Sequence, residues 1–141
     1  MKSYLSYQIG LIKFATPVEE IKEVARAKNV LIEDKMPRNI IGFFELRGKK
    51  ICIFNLASFL NLKAVKGFDI IIIELKQHYI GFEVEKIFGI VNADEVMPYP
   101  EIVQAKDYLM GVIPYDKELI QVISFYKILS GQRLKTIQKY L

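Results

Sequence analysis

One histidine, His78, and one cysteine, Cys52, are all that this 141-residue chain offers of two residue types on which much enzyme chemistry depends. A metal centre needs clustered His, Cys or carboxylate ligands, and a thiol nucleophile needs an imidazole partner. Neither can be assembled here, so no metal, no cofactor and no catalytic site are expected. His78 reads as an exposed residue of the turn Lys76-Gln77-His78. Cys52, inside the apolar run Ile51-Cys52-Ile53-Phe54, reads as a buried reduced thiol that cannot form an internal disulfide. Glycine-rich phosphate loops are also missing, both the P-loop and the G-x-G-x-x-G pattern. The most apolar run, Ile70–Ile73, stops at Asp69 and Glu74, far short of a bilayer's thickness. Polar Ser6 and Gln8 interrupt any signal-peptide core after Met1-Lys2-Ser3-Tyr4. A cytoplasmic location without direct membrane insertion is the expectation.

What the chain does contain is apolar. Hydrophobic residues make up 52% of it, enough for a substantial core. Val, Ile, Phe and Tyr dominate them, which favours strands and predicts a mainly β fold. The net charge of +4 raises the question of nucleic acid. Lys and Arg are interleaved with Glu and Asp over most of the length, however, and concentrate only in the tail at Lys127, Arg133, Lys135 and Lys139. Interspersed charge reads as a solvated face.

The chain also repeats itself. Val18, Glu19, Glu20, Ile21 and Val24 recur 66 positions later as Val84, Glu85, Lys86, Ile87 and Ile90, and the alternation Leu5, Tyr7, Ile9 recurs as Ile71, Ile73, Leu75. At an offset of 69, Gly42, Ile51, Ile53, Leu56, Phe59 and Leu60 become Gly111, Ile120, Val122, Phe125, Ile128 and Leu129. Two similar strand-rich units follow, packed side by side with a crevice between them. We divide residues 1–141, one domain, into a first subdomain at about 14–66 and a second at about 67–125. The N-terminal strand and a C-terminal helix are free to pack across both. Local elements are legible too. Pro17 ends a hairpin and opens a short helical turn before a strand through Val24. Lys63 to Gly67 connects the halves, and loops centre on Pro37 and on Pro98 and Pro100. Asn55 and Ser124 stand as caps of short helices at Ala57 to Leu62 and Phe125 to Leu129. Leu134, Ile137 and Leu141 fall at helical spacing, predicting a terminal amphipathic helix.

Two further groups carry potential chemistry. The carboxylate pairs Glu19-Glu20 and Glu83-Glu85 read as solvated, with nothing in the sequence to desolvate them. Tyr4, Tyr7, Phe14, Phe43, Phe44 and Tyr79 could stack on single-stranded nucleic acid in an open barrel, but most alternate with polar residues as core side chains do. A small nucleic-acid-binding β-barrel is therefore the rival to a protein-binding module.

Gly42-Phe43-Phe44-Glu45-Leu46-Arg47-Gly48 followed by Ile51-Cys52-Ile53-Phe54-Asn55-Leu56 resembles the Gly-Val-x-Asn-Leu-Arg-Gly…Pro-Val-Val-Asp-Leu signature of CheW-like domains. Gly81-Phe82-Glu83-Val84-Glu85 is similar to that family's Gly-hydrophobic-x-Val-Asp, and Tyr108-Leu109-Met110-Gly111-Val112 to its Tyr-Ile-x-Gly-Val. The resemblance runs from about Tyr4 to Leu129. It implies two small five-stranded β-barrels around a shared core and a non-catalytic chemotaxis adaptor. Such an adaptor couples the cytoplasmic tip of a chemoreceptor, a methyl-accepting chemotaxis protein, to the regulatory domain of the histidine kinase CheA, and is recruited to membrane-associated receptor arrays. Carried over residue by residue, the resemblance implies a receptor-binding groove of Val18, Ile21, Glu23, Val24, Val84 and Ile87. It gives Arg47 a part in receptor and kinase coupling, and Val30 and Ile41 a place in the kinase contact. No nucleic-acid partner is implied. The chain departs from the signature at Glu45, Asn55, Glu85 and Ser124, which keeps a divergent scaffold of another chemosensory-type pathway as an alternative.

Overall fold

Ile70, Ile71, Ile72 and Ile73 are all almost completely buried, which a strand achieves only when both of its faces are covered. Ile70 and Ile72 join one apolar cluster with Phe44, Ile51 and Ile53, while Ile71 and Ile73 join another with Cys52, Phe54, Ile80 and Phe82. The computed structural model describes residues 1–33, 35–63, 69–98 and 106–139. In the first half run β1 (Lys2–Ile9), β2 (Ile12–Pro17), a 3-10 turn at Val18–Glu20, β3 (Glu23–Arg26), β4 (Ile40–Leu46), β5 (Lys49–Phe54) and helix α1 (Leu56–Phe59). The second half has β6 (Asp69–Leu75), β7 (His78–Val84), β8 (Lys86–Ala93), β9 (Leu109–Tyr115), β10 (Glu118–Ile123) and α2 (Phe125–Ile128), and α3 (Gln132–Gln138) follows. The strands form two five-stranded sheets, ordered β8-β1-β2-β10-β9 and β3-β6-β7-β5-β4.

Each sheet curls around a cluster of its own. Tyr4, Ala15, Val91, Ile113, Ile120 and Val122 come from all five strands of the first sheet, and only a curled sheet brings its two edges to one cluster. The second sheet does the same with Phe44, Ile51, Ile53, Ile70 and Ile72, joined by Ala25 of its edge strand β3. The opposite faces of both sheets meet in the large shared core, where Phe82 stacks on Phe125 with ring centroids 3.9 Å apart. The fold is mainly β, as the composition predicts, with the two-barrel arrangement around a shared core that the resemblance implies.

The repeats do not coincide with the sheets. Strands β1 and β2 belong to the first repeat but pair with β8 and β10, while β6 and β7 of the second repeat pair with β3 and β5. Each repeat thus lends its first hairpin to the other's sheet. Even the register repeats: the parallel pair Cys52–Ile80 recurs as Phe14–Gln121, and Glu23–Ile72 as Ser6–Gly89. The expected limits of 14–66 and 67–125 therefore mark sequence repeats, whereas the chain changes sheets at Val18–Lys22 and at Glu85.

Local chemistry follows the sequence closely. The Asn55 side chain accepts from the Ser58 N–H at 3.1 Å, and Ser124 Oγ from the Lys127 N–H at 3.2 Å, so both cap their helices. A Cβ added at Gly42 would lie 2.4 Å from the Leu31 carbonyl oxygen, and one at Gly111 would lie 2.3 Å from that of Met97. These two glycines let the segment leaving β3 or β8 bridge onto β4 or β9, as Leu31–Phe43 and Met97–Val112. Leu134 and Ile137 are buried, seating α3 on the shared core. Residues 64–67 of the expected connector, Pro100 and Leu141 lie outside the described residues.

Candidate docking site

The two places where the chain passes between sheets are repeat-equivalent, and both carry candidate residues. At the first, Pro17 cannot extend the ladder and the chain turns through Val18–Glu20 before Lys22 N–H bonds to the Ile72 carbonyl at 2.8 Å. The Glu20 carboxylate points inward. Its Oε2 accepts from Ser124 Oγ at 2.6 Å, and its Oε1 accepts from the N–H groups of Phe125 at 2.7 Å and Tyr126 at 3.2 Å. Glu20 therefore caps α2 across the repeats and is buried, correcting the expectation of a solvated Glu19-Glu20 pair. Its desolvation is balanced by three charge-assisted hydrogen bonds.

At the second crossover the register takes Val84 out of the expected groove. Val84 is only 2% exposed, because Ile80, Phe82 and Val84 alternate onto the face of β7 that meets the shared core. It lines no groove. Ile87 is half-buried against the same core and pairs with Tyr7, whereas Pro17 pairs with Tyr4, so the two crossovers lie about 10 Å apart along β1. The Glu85 N–H bonds to the Gln8 carbonyl at 3.0 Å, and Glu85 Oε2 is a buried acceptor without a hydrogen-bond partner among the described residues. That also departs from the solvated Glu83-Glu85 pair expected.

Of the candidate groove residues, Val18, Ile21, Val24 and Ile87 keep accessible surface. Val18 is exposed and Ile21 is half-buried against the shared core. Val24 pairs with Ile71, which faces that core, so the edge strand β3 carries the core-facing side of its sheet into solvent and leaves Val24 47% exposed. Beside it, Glu19, Ile21, Lys22, Glu74 and Tyr126 line a cleft of about 360 Å³. The same geometry recurs on β8, where Ile90 pairs with Leu5 and is 56% exposed. Sequence reasoning passed over Ile90 and the neighbouring exposed Phe88 as site residues, although the repeat already aligned Ile90 with Val24.

Arg47 and Glu23, both candidates, come together as a hydrogen-bonded ion pair. Glu23 opens β3 at one edge of its sheet, and Arg47 follows β4 at the other edge. The pair therefore spans the seam of the curled sheet. Arg47 and Gly48 both take positive φ, 50° and 78°, the backbone of a two-residue hairpin loop. The Arg47 side chain is largely exposed.

Val30 and Ile41 lie on the same barrel. A Cβ at Gly42 would lie 3.1 Å from Val30 Cγ1, and Ile41 packs against the barrel's own cluster. Val30 is joined by Leu31 at 69% and Ile32 at 72% exposure, an apolar strip missed in the sequence because it shows no strand alternation. Leu31 bridges Phe43 through two backbone bonds, and Lys50 Nζ lies 4.1 Å from the Phe43 ring centroid.

The side chains with reactive groups are placed otherwise. His78 opens β7 and is half-buried, with the turn made by Lys76 and Gln77 at positive φ. Cys52 is completely buried, and burial pushes its thiol up to about 12. Tyr4, Tyr7, Phe14, Phe43 and Phe44 are core residues and offer no face for stacking; Tyr79 is half-buried beneath Lys49. At the departures from the signature, Asn55 and Ser124 retain the cap, and Glu45 is exposed.

Comparison with known proteins bears on this arrangement. It is similar to the crystal structure of the scaffolding protein TtCheW from Thermoanaerobacter tengcongensis, with a TM-score of 0.77 and 21% identity over 94% of each chain, which shows a shared fold. No curated protein matches the chain. The sequence model of the CheW-like domain matches residues 3–133, from the first strand of the exchanged hairpin to the start of α3, and the chain therefore belongs to the CheW-like domain family.

Proposed function

We propose that this chain is a non-catalytic chemotaxis adaptor that couples chemoreceptor tips to the histidine kinase CheA by binding both. The observation that carries this reading is a pair of apolar stretches: Val18, Ile21 and Val24 at the first crossover and the edge strand β3, and Val30, Leu31 and Ile32 on the segment that bridges onto β4. The first suits the apolar face of a receptor helix, and the second suits the regulatory domain of the kinase. The Arg47–Glu23 pair joins the β3 and β4 edges of the same sheet. When both partners are bound to one rigid body, the kinase's conformational equilibrium depends on receptor state by linkage. Among the described residues no helix is long and apolar enough to cross a membrane, so recruitment to receptor arrays would come through these contacts.

The experiment is co-sedimentation of purified chain with kinase and receptor fragments, alone and together. Arg47→Ala should weaken ternary assembly and leave thermal stability nearly unchanged, within about 0.5 kcal/mol, because exposed ion pairs contribute little. Normal assembly by that variant would remove Arg47 from the coupling site. A salt titration separates the nucleic-acid rival, whose binding would weaken steeply through counterion release.

A further inference from the structure

Four arginines occur in the sequence: Arg26, Arg38, Arg47 and Arg133. Arg26 lies against Asp69 and Arg47 against Glu23. Arg38 and Arg133 make no ion pair among the described residues, yet both line the same cleft of about 340 Å³. The cleft lies between α1, which supplies Ser58 and Phe59, and α3, which supplies Arg133 and Ile137, with Arg38 and Asn39 from the turn before β4. Among the described residues no acidic side chain lines it.

The Arg133 guanidinium is held in place. Its Nη1 donates to the Ile128 carbonyl at 3.1 Å, and its Cζ lies 4.9 Å from the centroid of the Phe59 ring, which itself packs on Tyr108. This fixes the plane of the fork while using one of its donors. Ser58 Oγ donates to Asn39 Oδ1 at 2.9 Å, which leaves the Asn39 amide nitrogen as a further donor at the wall. Two guanidiniums, an amide donor and the apolar side chains of Phe59 and Ile137 thus share one concave surface.

From this we infer that the cleft is a carboxylate-binding site that captures an acidic side chain, together with an apolar neighbour, from a peptide segment of a protein partner. Planar guanidinium forks match carboxylates in paired hydrogen bonds, and the ring and Ile137 offer the adjacent residue a dry contact. Nucleic acid fits less well, because its backbone needs a basic track and stacking faces, whereas here two guanidiniums share one cleft. The contact is additional to the two docking surfaces proposed above and does not rest on them.

The test is fluorescence anisotropy of a labelled peptide of alternating glutamate and leucine, with inorganic phosphate and a single-stranded oligonucleotide as competitors. Saturable binding should weaken about tenfold in Arg133→Gln and in Arg38→Gln, the loss of one charge-assisted contact in each. Arg133→Lys, which keeps the charge and loses the fork, should fall between wild type and Arg133→Gln. Arg38 makes no hydrogen bond among the described residues, so its variant should melt as wild type does and capture kinase and receptor fragments normally. The inference is overturned by absence of saturable peptide binding, by full binding in both glutamine variants, or by phosphate or oligonucleotide displacing the peptide as well as unlabelled peptide does. Loss of kinase or receptor capture in Arg38→Gln would also overturn it as a separate site.

Discussion

Ser124 Oγ donates to Glu20 Oε2 at 2.6 Å, joining residues 104 positions apart in the sequence. Through this bond the segment that turns between sheets in the first repeat is fastened to the first turn of α2 in the second. Glu20→Gln keeps the shape but replaces one accepting oxygen with an amide donor, which then faces a hydroxyl or an N–H group. The expected loss is on the order of 1–3 kcal/mol of stability, read from the denaturant midpoint. An unchanged midpoint would mean that the carboxylate does not fasten the crossover to the helix.

Val24 and Val84 stand at neighbouring places in the proposed site by sequence and at opposite ends of the burial scale by structure. Val24→Asp should weaken receptor-fragment capture by more than about tenfold, one apolar anchor's worth, while its melting temperature stays near wild type. Val84→Asp would place a charge in the shared core and should leave the chain unfolded or aggregated. A soluble, cooperatively melting Val84→Asp would contradict its place in the core.

Gly42 and Gly111 make a matched pair of tests. Gly42→Ala and Gly111→Ala each push a methyl group into a backbone carbonyl, and overpacking of that kind costs about 1–3 kcal/mol. Gly111, with φ of 141°, should suffer more, because a side chain there is also conformationally strained. Circular dichroism melts compare the two, and a Gly111→Ala as stable as wild type would show that the bridging segment can move aside.

Cys52 gives the pH dependence. Burial raises its thiol from the ordinary 9.0 to about 12. Below pH 9 folded and unfolded thiols are both protonated, so nothing is lost. Between the two values only the unfolded chain ionises, and stability should fall with rising pH by up to about 1.4 kcal/mol per unit. Tyr7, also raised by burial, acts in the same direction at higher pH. Urea midpoints at increasing alkaline pH should drop more steeply for wild type than for Cys52→Val, and equal slopes would place the thiol in contact with water.

Much of this protein was legible from its residues. The doubly buried strand followed from four isoleucines in a row, the caps from Asn55 and Ser124, and the buried thiol from its apolar neighbours, because each depends on periodicity or on chemistry within a few residues. Arg47 was legible as an exposed turn residue for the same reason. Val84 was not legible as core. Alternation says that Ile80, Phe82 and Val84 share a face, but not whether that face meets solvent, a groove or another sheet.

Glu20 marks the same limit more sharply. In the sequence it is one of two adjacent carboxylates, and only the arrival of Ser124 and the Phe125 N–H from the far end of the chain turns it into a buried acceptor. The repeat likewise determined by itself that there are two similar units with matching strands, caps and bridging glycines. Which strands share a sheet was decided by tertiary structure alone. A hairpin satisfies its own internal bonds in either sheet, and the choice rests on which outer edge it can pair with once the shared core has closed. Here β1-β2 and β6-β7 each pair across to the other repeat, and that exchange leaves Val24 and Ile90 on the two edge strands where a partner can reach them.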